Sequence, residues 1–303
     1  MTAHRWLAAA TTTLVVALGW SVGAAKPGKP VDWVALNPAF AGATFVKNPE
    51  TCRTCHEDSM KAYSSTKHAR AFARNPPEQA GDCESCHGPR SKHVEAPSAE
   101  LKLPAGSRAE SPVCLQCHQG GSRMGWQAGV HHTEDVTCSS CHTLMAQKSD
   151  RALLKTASVT DTCYTCHAEV RTETNKMSHH PIREGRVTCA SCHNVHGATP
   201  QLLIKPTVSE TCYSCHTEKR GPFVWEHAPV RENCAACHEP HGSNQRHLLT
   251  SKDPFLCLSC HSYGGHINLP RYNRVSNPYG NGCSNCHTSV HGSNHPSGAK
   301  LTR

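Results

Sequence analysis

The sequence predicts a fold of short α-helices and irregular coil, with little or no β-structure, wrapped around groups other than its own side chains. Only 37% of the 303 residues are hydrophobic and 5% are aromatic, which is too little apolar material for an ordinary core of this size. The 20 prolines and 21 glycines leave little room for strands or long helices. The 20 cysteines and 24 histidines far exceed ordinary usage, so they are the candidates to bind the groups that fill the core.

Residues 1–25 are predicted to form a cleavable signal peptide. Arg5 precedes an apolar run from Trp6 to Trp20, and small residues ending in Ala24 and Ala25 provide the cleavage site. The run is shorter than the about 20 residues that a membrane span needs, and no later segment is apolar enough to span as a helix. We therefore expect an exported protein with no transmembrane helix of its own.

Every cysteine belongs to a Cys-x-x-Cys pair that is followed at once by a histidine. Numbered 1 to 10 along the chain, the motifs are Cys52, Cys55 and His56; Cys83, Cys86 and His87; Cys114, Cys117 and His118; Cys138, Cys141 and His142; Cys163, Cys166 and His167; Cys189, Cys192 and His193; Cys212, Cys215 and His216; Cys234, Cys237 and His238; Cys257, Cys260 and His261; and Cys283, Cys286 and His287. This motif attaches c-type haem: the thiols add to the two vinyl groups and the histidine binds iron. Disulfides would not explain the histidines, and zinc sites do not occur as ten identical units. The sequence therefore predicts ten covalently bound haem c groups, arranged as a linear array.

From motif 3 onwards the motifs alternate in type, which indicates a repeat of two motifs. CLQCH, CYTCH, CYSCH and CLSCH alternate with CSSCH, CASCH, CAACH and CSNCH, and paired leucines follow the second type at 153–154, 202–203 and 248–249. We expect five modules of about 45–60 residues, each in contact mainly with its neighbours. Brief helices should carry the motifs, one from Glu57 to Ala73 and another from Asp161 to Met177.

Histidines outside the motifs are the candidates for the second axial ligand, because a haem that only carries electrons usually has both axial positions filled. After motifs of the first type they are His68, His131 or His132, His179 or His180, His227 and His266; after motifs of the second type they are His93, His196, His241 and His291. His196 lies three residues past His193 and on the same face. It therefore cannot reach the far side of its own haem, and we expect it to ligate a neighbouring one.

Motif 4 departs from this pattern, because it reads Cys-His142-Thr-Leu-Met145 where motif 6 ends in His196. Met145 could bind the haem of motif 4 through its thioether, which would raise the potential of that haem. Alternatively, Met145 only packs, and the second histidine of the His131–His132 pair supplies the missing nitrogen. The spare histidine favours the second interpretation.

The motif count, together with the phrases KHARAF, CHGPRSKH, CLQCH and SHHPIREGRVTCASCHNVHG, resembles the decahaem cytochromes of the MtrA type, which include MtrA, PioA, MtoA and DmsE relatives. The resemblance covers essentially all of the mature chain. It implies closely spaced, low-potential bis-histidine haems in two five-haem halves, residues 51–180 and 181–303, after a haem-free segment at 26–50. It also implies a periplasmic protein inserted in an outer-membrane β-barrel porin, carrying electrons between the periplasm and the cell exterior. Further redox partners would be periplasmic cytochromes and an outer-surface cytochrome.

Two other functions compete with this conduit. A free periplasmic shuttle that feeds a reductase would use the same motifs. A multihaem reductase would need an altered motif or a haem with an open axial position, whereas all ten motifs are standard and candidate ligands are in surplus. We therefore expect an electron-transfer protein and not an enzyme. Neither the direction of electron flow nor the terminal donor or acceptor can be read from motifs.

The formal charge of +8 does not indicate a nucleic-acid partner. Loss of the signal peptide removes Arg5, and two propionates give each haem a net charge of about −1 when ferric or −2 when ferrous. Ten haems would therefore make the mature protein acidic. The basic balance is a property of the polypeptide without its haems.

Overall fold

The computed structural model describes residues 30–46, 48–74, 83–97, 100–103, 106, 108–261 and 282–302. Over these ranges it contains short α-helices joined by 3₁₀ turns and coil, and no β-strand, so the predicted fold class is confirmed. The helices are α1 (Trp33–Leu36), α2 (Pro49–Ser64), α3 (Lys67–Phe72), α4 (Cys83–His87), α5 (Ser91–Glu95), α6 (Ser111–Leu115), α7 (Val130–Thr133), α8 (Cys138–Cys141), α9 (Val159–Tyr164), α10 (Ala168–Glu173), α11 (Val208–Tyr213), α12 (Ala228–Glu232) and α13 (Phe255–Leu258). None of these helices combines the length and the apolar character that a membrane crossing requires. The predicted signal peptide and His266 lie outside the described residues.

Both helices predicted as continuous are interrupted, so those two predictions were wrong in extent. The stretch from Glu57 to Ala73 contains the end of α2 and all of α3, and Thr66 separates them by capping α3 through a hydrogen bond from the Ala69 backbone N–H at 3.2 Å. The stretch from Asp161 to Met177 is divided between α9 and α10 at His167, whose φ of −93° and ψ of 62° are not helical. His56 leaves the helical conformation inside α2 in the same way. Periodicity could not indicate these breaks, because the motif histidine itself turns out of the helix.

Three even-numbered motifs share one local backbone frame. His142, His193 and His238 each form a single antiparallel bridge with a leucine that follows, at Leu154, Leu203 and Leu249. In each case two successive residues before the bridge adopt positive φ, at 152–153, 201–202 and 247–248. Left-handed pairs of this kind are costly for residues other than glycine, so the surrounding contacts must enforce them. The leucine pairs that the sequence repeats therefore mark the same left-handed turn in these three motifs.

The polypeptide buries few apolar side chains among the described residues. The fully or nearly buried ones are Phe40, Leu101, Val113, Trp126, Leu153, Leu154, Leu202, Leu203 and Leu301. Four of these nine are the leucines of the two turns at 153–154 and 202–203. A chain of this length with so little apolar interior requires other material to complete its core, as the composition predicts.

The N-terminal segment packs on motif 2. Phe40 is 1% exposed, and a Cβ added at Gly88, where φ is +77°, would lie 2.7 Å from the Trp33 ring and 3.1 Å from the Phe40 ring. Glu84 of motif 2 accepts a hydrogen bond from the Val46 backbone N–H at 3.0 Å. Glycine at 88 thus permits both the left-handed backbone and the close approach of the two rings.

Candidate haem-binding site

Each Cys-x-x-Cys-His motif forms one tight turn that brings its three functional side chains together. In motifs 3 to 10 the backbone N–H of the histidine donates to the carbonyl of the first cysteine at 2.9–3.1 Å. This i to i+4 bond places the two thiols and the imidazole on one side of the turn, which is where a ring attached through two thioethers would need its axial ligand. None of the 20 cysteines forms a disulfide.

Eight pairs of imidazole rings face each other, and each pair joins a motif histidine to a histidine outside the motifs. The pairs, with the distance between ring centroids, are His56–His93 (6.1 Å), His118–His68 (5.8 Å), His142–His196 (6.1 Å), His167–His131 (6.2 Å), His193–His241 (6.1 Å), His216–His180 (6.3 Å), His238–His291 (6.1 Å) and His261–His227 (6.0 Å). We call this set of eight pairs the histidine ladder.

The spacing of these rings fits an iron atom between them. Two in-line iron–nitrogen bonds of about 2 Å separate imidazole centroids by about 6 Å, which is the spacing of all eight pairs. In the pair His68–His118 the two Nε2 atoms point at each other and lie 3.4 Å apart. Two iron–nitrogen bonds in line would place them about 4 Å apart, so this gap is slightly shorter. The ring pairs therefore have the donor atoms and the gap that a bis-histidine haem requires.

Hydrogen bonds at Nδ1 leave Nε2 free to bind metal. The Nδ1–H groups of His142, His193 and His238 donate to the carbonyls of the left-handed turns that follow, at 2.7, 3.0 and 2.8 Å. A ring that donates through Nδ1 carries its lone pair on Nε2, and the bond fixes its orientation. Burial also lowers the pKa of His193, and a neutral imidazole is the form that ligates iron.

The second members of three pairs are held across modules in the same way. The Nδ1–H groups of His131, His180 and His227 donate to the carbonyls of Val195, Pro240 and Val290 at 3.2, 2.7 and 3.1 Å. Each acceptor is the residue directly before another ladder histidine, namely His196, His241 or His291. Each of these short segments therefore supplies a ladder histidine for one haem site and, through the preceding carbonyl, orients the histidine of another site.

The ladder follows a register of two motifs. The rings supplied after motifs 1, 3, 5 and 7 face the motif histidines two positions later, at His118, His167, His216 and His261. The rings supplied after motifs 6, 8 and 10 face those two positions earlier, at His142, His193 and His238. Motif 1 differs, because His56 faces His93, which follows motif 2. Two rows of contacts in opposite chain directions thus join the modules.

Two pairs of adjacent histidines are separated by the geometry. His131 faces a motif histidine, whereas the ring of His132 lies 5.8 Å from the Trp126 ring. His180 faces a motif histidine, whereas Nδ1 of His179 contacts the Lys176 carbonyl and its Nε2 lies 3.3 Å from the Glu184 carboxylate. In both cases one histidine is free to serve as a ligand and the other has a different neighbour.

His87 of motif 2 has a different environment from the paired histidines. No second imidazole lies against it in the part of the chain that the structure describes. Burial, together with the charges of Arg90 and His56, lowers its pKa, so this ring is also a neutral donor. Met145, where the sequence departs from the repeat, is 40% exposed.

Cysteines of successive motifs lie close together in an alternating pattern. Within a module, the first cysteines of the two motifs interact. Hydrogen bonding between them raises the pKa of Cys114 and lowers the pKa of Cys138 to about 7. In the same way, it raises the pKa of Cys163 and lowers that of Cys189. Between modules the second thiols interact, since burial and the charge of Cys117 raise the pKa of Cys86. The charges of the paired thiols also interact between Cys212 and Cys234 and between Cys257 and Cys283 within modules, and between Cys141 and Cys166, Cys192 and Cys215, and Cys237 and Cys260 across modules. The attachment points therefore form one continuous series from motif 2 to motif 10.

Acidic side chains support this arrangement, and sequence reasoning did not single them out. Glu110 accepts hydrogen bonds from the Ser139 backbone N–H at 2.6 Å and hydroxyl at 2.7 Å. Glu173 Oε2 lies 3.2 Å from Nδ1 of His241, at a place where other ladder histidines use a carbonyl. The sequence feature that could have identified Glu110 is its position four residues before Cys114. Asp253 has the same position relative to Cys257.

The chain is similar to known multihaem cytochromes. A family model described as a doubled CXXCH motif matches residues 131–172, 179–221 and 227–266, and a model described as cytochrome c554 and c-prime matches residues 51–82 and 89–143. The chain is also 38% identical over 286 residues to a multiheme cytochrome MtrA of Shewanella baltica (strain OS185), covering 88% of this chain and 85% of that protein. Each doubled-motif match spans an even-numbered motif and the odd-numbered motif after it, in agreement with the period of two.

Proposed function

The chain belongs to the MtrA family of multihaem c-type cytochromes, and from that premise we propose that it is an electron conduit between the periplasm and the cell exterior. Its electron-transfer role and its several covalent c-type haems follow from the family. The number of haems, the ligand set, the partner and the location are parts of the proposal. We further propose that the protein catalyses no reaction of its own.

In this proposal ten haem c groups are attached through the 20 cysteines, and each motif histidine is the first axial ligand. The second ligands are the ladder histidines His68, His93, His131, His180, His196, His227, His241 and His291. His266, which follows motif 9, is the candidate for the end motif 10, just as His93, which follows motif 2, faces the end motif 1. His132 and His179, which have other neighbours, are not assigned as ligands.

Haem iron supplies a reversible one-electron change between ferric and ferrous forms without making or breaking bonds to a substrate. The chain's residues fix the positions of the successive groups. Two thioether links and at least one axial imidazole would hold each ring, and Nδ1 hydrogen bonds to backbone carbonyls orient imidazoles such as His142 and His180. A ligand set that does not rearrange suits electron transfer, and filled axial positions exclude substrates from the iron.

One observation carries the proposal: the continuity of the haem sites along the chain. The ring pairs connect each module with the next in two rows, and cysteines of successive motifs lie close together. A storage protein needs many haems but no ordered series. A conduit needs each site to have one neighbour before it and another after it.

The proposed partner is an outer-membrane β-barrel porin that encloses the cytochrome. A polar-surfaced chain can cross a membrane only where a barrel shields it from lipid. Export would use the signal peptide at 1–25, and the haems would lie in two halves, residues 51–180 and 181–303, after the segment at 26–50. Periplasmic cytochromes and an outer-surface cytochrome would exchange electrons with its two ends.

The decisive experiment purifies the tagged protein from detergent-solubilised outer membranes and identifies what accompanies it. We expect a β-barrel protein in stoichiometric amount. Vesicles containing the complex should then oxidise an internal electron donor when an acceptor is added outside, and the reverse arrangement tests the other direction. Recovery of the cytochrome from the periplasmic fraction without a barrel would favour the soluble shuttle instead.

The ligand assignment is tested by replacing His196 with alanine. We expect one five-coordinate, high-spin haem, about one tenth of the total, because His142 would lose the imidazole opposite it. Electron paramagnetic resonance of the oxidised protein measures the high-spin fraction. His132→Ala is the matched control and should produce no high-spin haem.

A further inference from the structure

Motif 4 has the same backbone frame as motifs 6 and 8, although its sequence departs from theirs. The residue after each motif histidine, Thr143, Asn194 or Glu239, donates its backbone N–H to the leucine of the following turn at 2.7, 2.5 and 2.7 Å. Two residues after that leucine, the backbone N–H of Lys155, Ile204 or Thr250 donates to the carbonyl of the second cysteine of the motif, at 2.9 Å in each case. The backbones of the three motifs therefore correspond from the motif histidine to the residue after it and again at the leucine pair, with 12, 10 and 11 positions between the bridged residues.

Counted from the motif histidine, Met145 occupies the position of a ladder ligand. Met145 lies three residues past His142, as His196 lies three past His193 and His241 three past His238. His196 and His241 are both members of the histidine ladder. Methionine is the only other side chain with a neutral soft donor that commonly binds haem iron, so the exchange replaces one axial ligand type with another.

The register of the ladder shows which motif Met145 serves. His196, after motif 6, faces motif 4; His241, after motif 8, faces motif 6; and His291, after motif 10, faces motif 8. The residue in the same position after motif 4 therefore faces motif 2. Motif 4 itself is already satisfied, because His142 faces His196 at a centroid distance of 6.1 Å.

Motif 2 is also one of the two motifs, with motif 10, whose histidines are not members of the histidine ladder. His93, which follows it, faces His56 of motif 1, and His68 faces His118 of motif 3. The spare His132 lies against Trp126, whose ring is 6.0 Å from His196 at motif 4. His266 is the candidate for motif 10, so motif 2 is the remaining position, and Met145 is the residue in register with it.

We propose that Met145 is the second axial ligand of the haem at motif 2, opposite His87, so that this haem alone in the ladder has histidine and methionine ligation. The inference rests on the proposed ladder. A thioether donates less electron density to ferric iron than an imidazole does, so the potential of this site should exceed that of the bis-histidine sites. The second position from one end of the conduit would therefore be the first site to hold an electron.

The test uses the oxidised holoprotein and two variants of Met145. The native protein should show the methionine-to-iron charge-transfer band at long wavelength, and Met145→Leu should lose it while about one tenth of the haem becomes high-spin. Met145→His should also lose the band but stay low-spin, and the highest-potential component of a redox titration should move into the range of the others. An unchanged band and spin state in Met145→Leu would overturn the proposal.

Two controls identify the haem and the methionine. Removing the attachment of motif 2 with Cys83→Ala and Cys86→Ala should abolish the band, whereas Cys138→Ala and Cys141→Ala at motif 4 should retain it. Met60 is the matched methionine, because its Sδ lies 3.9 Å from Cys83 Sγ beside the same motif. Loss of the band in Met60→Leu, or in the motif 4 variant alone, would contradict the assignment. His196→Ala tests the ladder separately, since it should create high-spin haem while the methionine band persists.

Discussion

At the scale of single residues, the hydrogen bond to Nδ1 sets how strongly an imidazole donates to iron. His131, His180 and His227 use backbone carbonyls as acceptors, whereas Nδ1 of His241 lies 3.2 Å from the Glu173 carboxylate. A carboxylate draws the ring toward imidazolate character, which stabilises ferric iron more than ferrous iron. Since His241 faces His193, Glu173 should lower the potential of the haem at motif 6.

We predict that Glu173→Gln raises the potential of the haem at motif 6. Both side chains are 37% exposed, so solvent screens part of the effect, and we expect a shift of about 20–60 mV, where about 59 mV corresponds to a tenfold change. A spectroelectrochemical titration of the holoprotein would resolve one component moving upward. Glu169→Gln, four residues earlier on the exposed face of α10, is the control and should leave all components in place. Equal shifts in the two variants would indicate a general charge effect instead.

At the scale of elements, acidic residues join the two motifs of a module. Glu110 bonds to Ser139 at the start of motif 4, and Asp253 accepts from the Cys283 and Ser284 backbone N–H groups at 2.9 and 3.1 Å. Burial alone would raise the pKa of Glu110, but hydrogen bonds, chiefly from Ser139, outweigh it and hold that pKa below its ordinary value. The ionised carboxylate is therefore the form that stabilises the folded module.

We predict that Glu110→Gln destabilises the holoprotein by about 1 kcal/mol at pH 7, since the carboxylate is partly exposed and its charge-assisted bonds are screened. Because the folded pKa is depressed, this contribution is complete above the ordinary glutamate pKa and is lost as the pH falls through the folded value. Guanidinium unfolding followed by circular dichroism measures it. The difference between wild type and variant should vanish in acid, and a difference independent of pH would refute the charge-based explanation. Glu169→Gln should match wild type throughout.

The sequence was a good guide to elements whose information is local. Cys-x-x-Cys-His attaches one haem whatever the rest of the chain does, and the leucine pair at 202–203 marks a turn because its position repeats. The break at His167 was missed because helical periodicity carries no signal for a histidine that turns out of the helix. The sequence indicated that His196 binds a neighbouring haem, but it did not indicate which one. The partner, His142, lies 54 positions away in the chain. Packing around the haems, which no local pattern encodes, determines that register.

At the scale of the whole molecule, bound haem should reverse the sign of the protein's charge. The chain carries +8 and has a sequence pI of about 8.7. Ten ferric bis-ligated haems with ionised propionates, together with loss of Arg5, would bring the formal charge to about −3, and reduction would bring it to about −13. We predict that the purified holoprotein binds an anion exchanger at pH 8 and that dithionite delays its elution. Retention on a cation exchanger would contradict full haem loading.

The continuity of the ladder has a consequence that only the whole chain displays. If electrons pass through every site in turn, removing one haem from the middle must interrupt transport, whereas the sites on either side keep their ligands. Motif 6 is suitable, because its loss removes neither His131 nor His180, which serve motifs 5 and 7. In Cys189→Ala with Cys192→Ala, we predict transport across a vesicle near the rate of the barrel alone, while added reductant still reduces the remaining haems. The matched control removes motif 10 through Cys283→Ala and Cys286→Ala, which shortens the series at its end. Undiminished transport without the haem of motif 6 would mean that electrons do not follow the order of the chain.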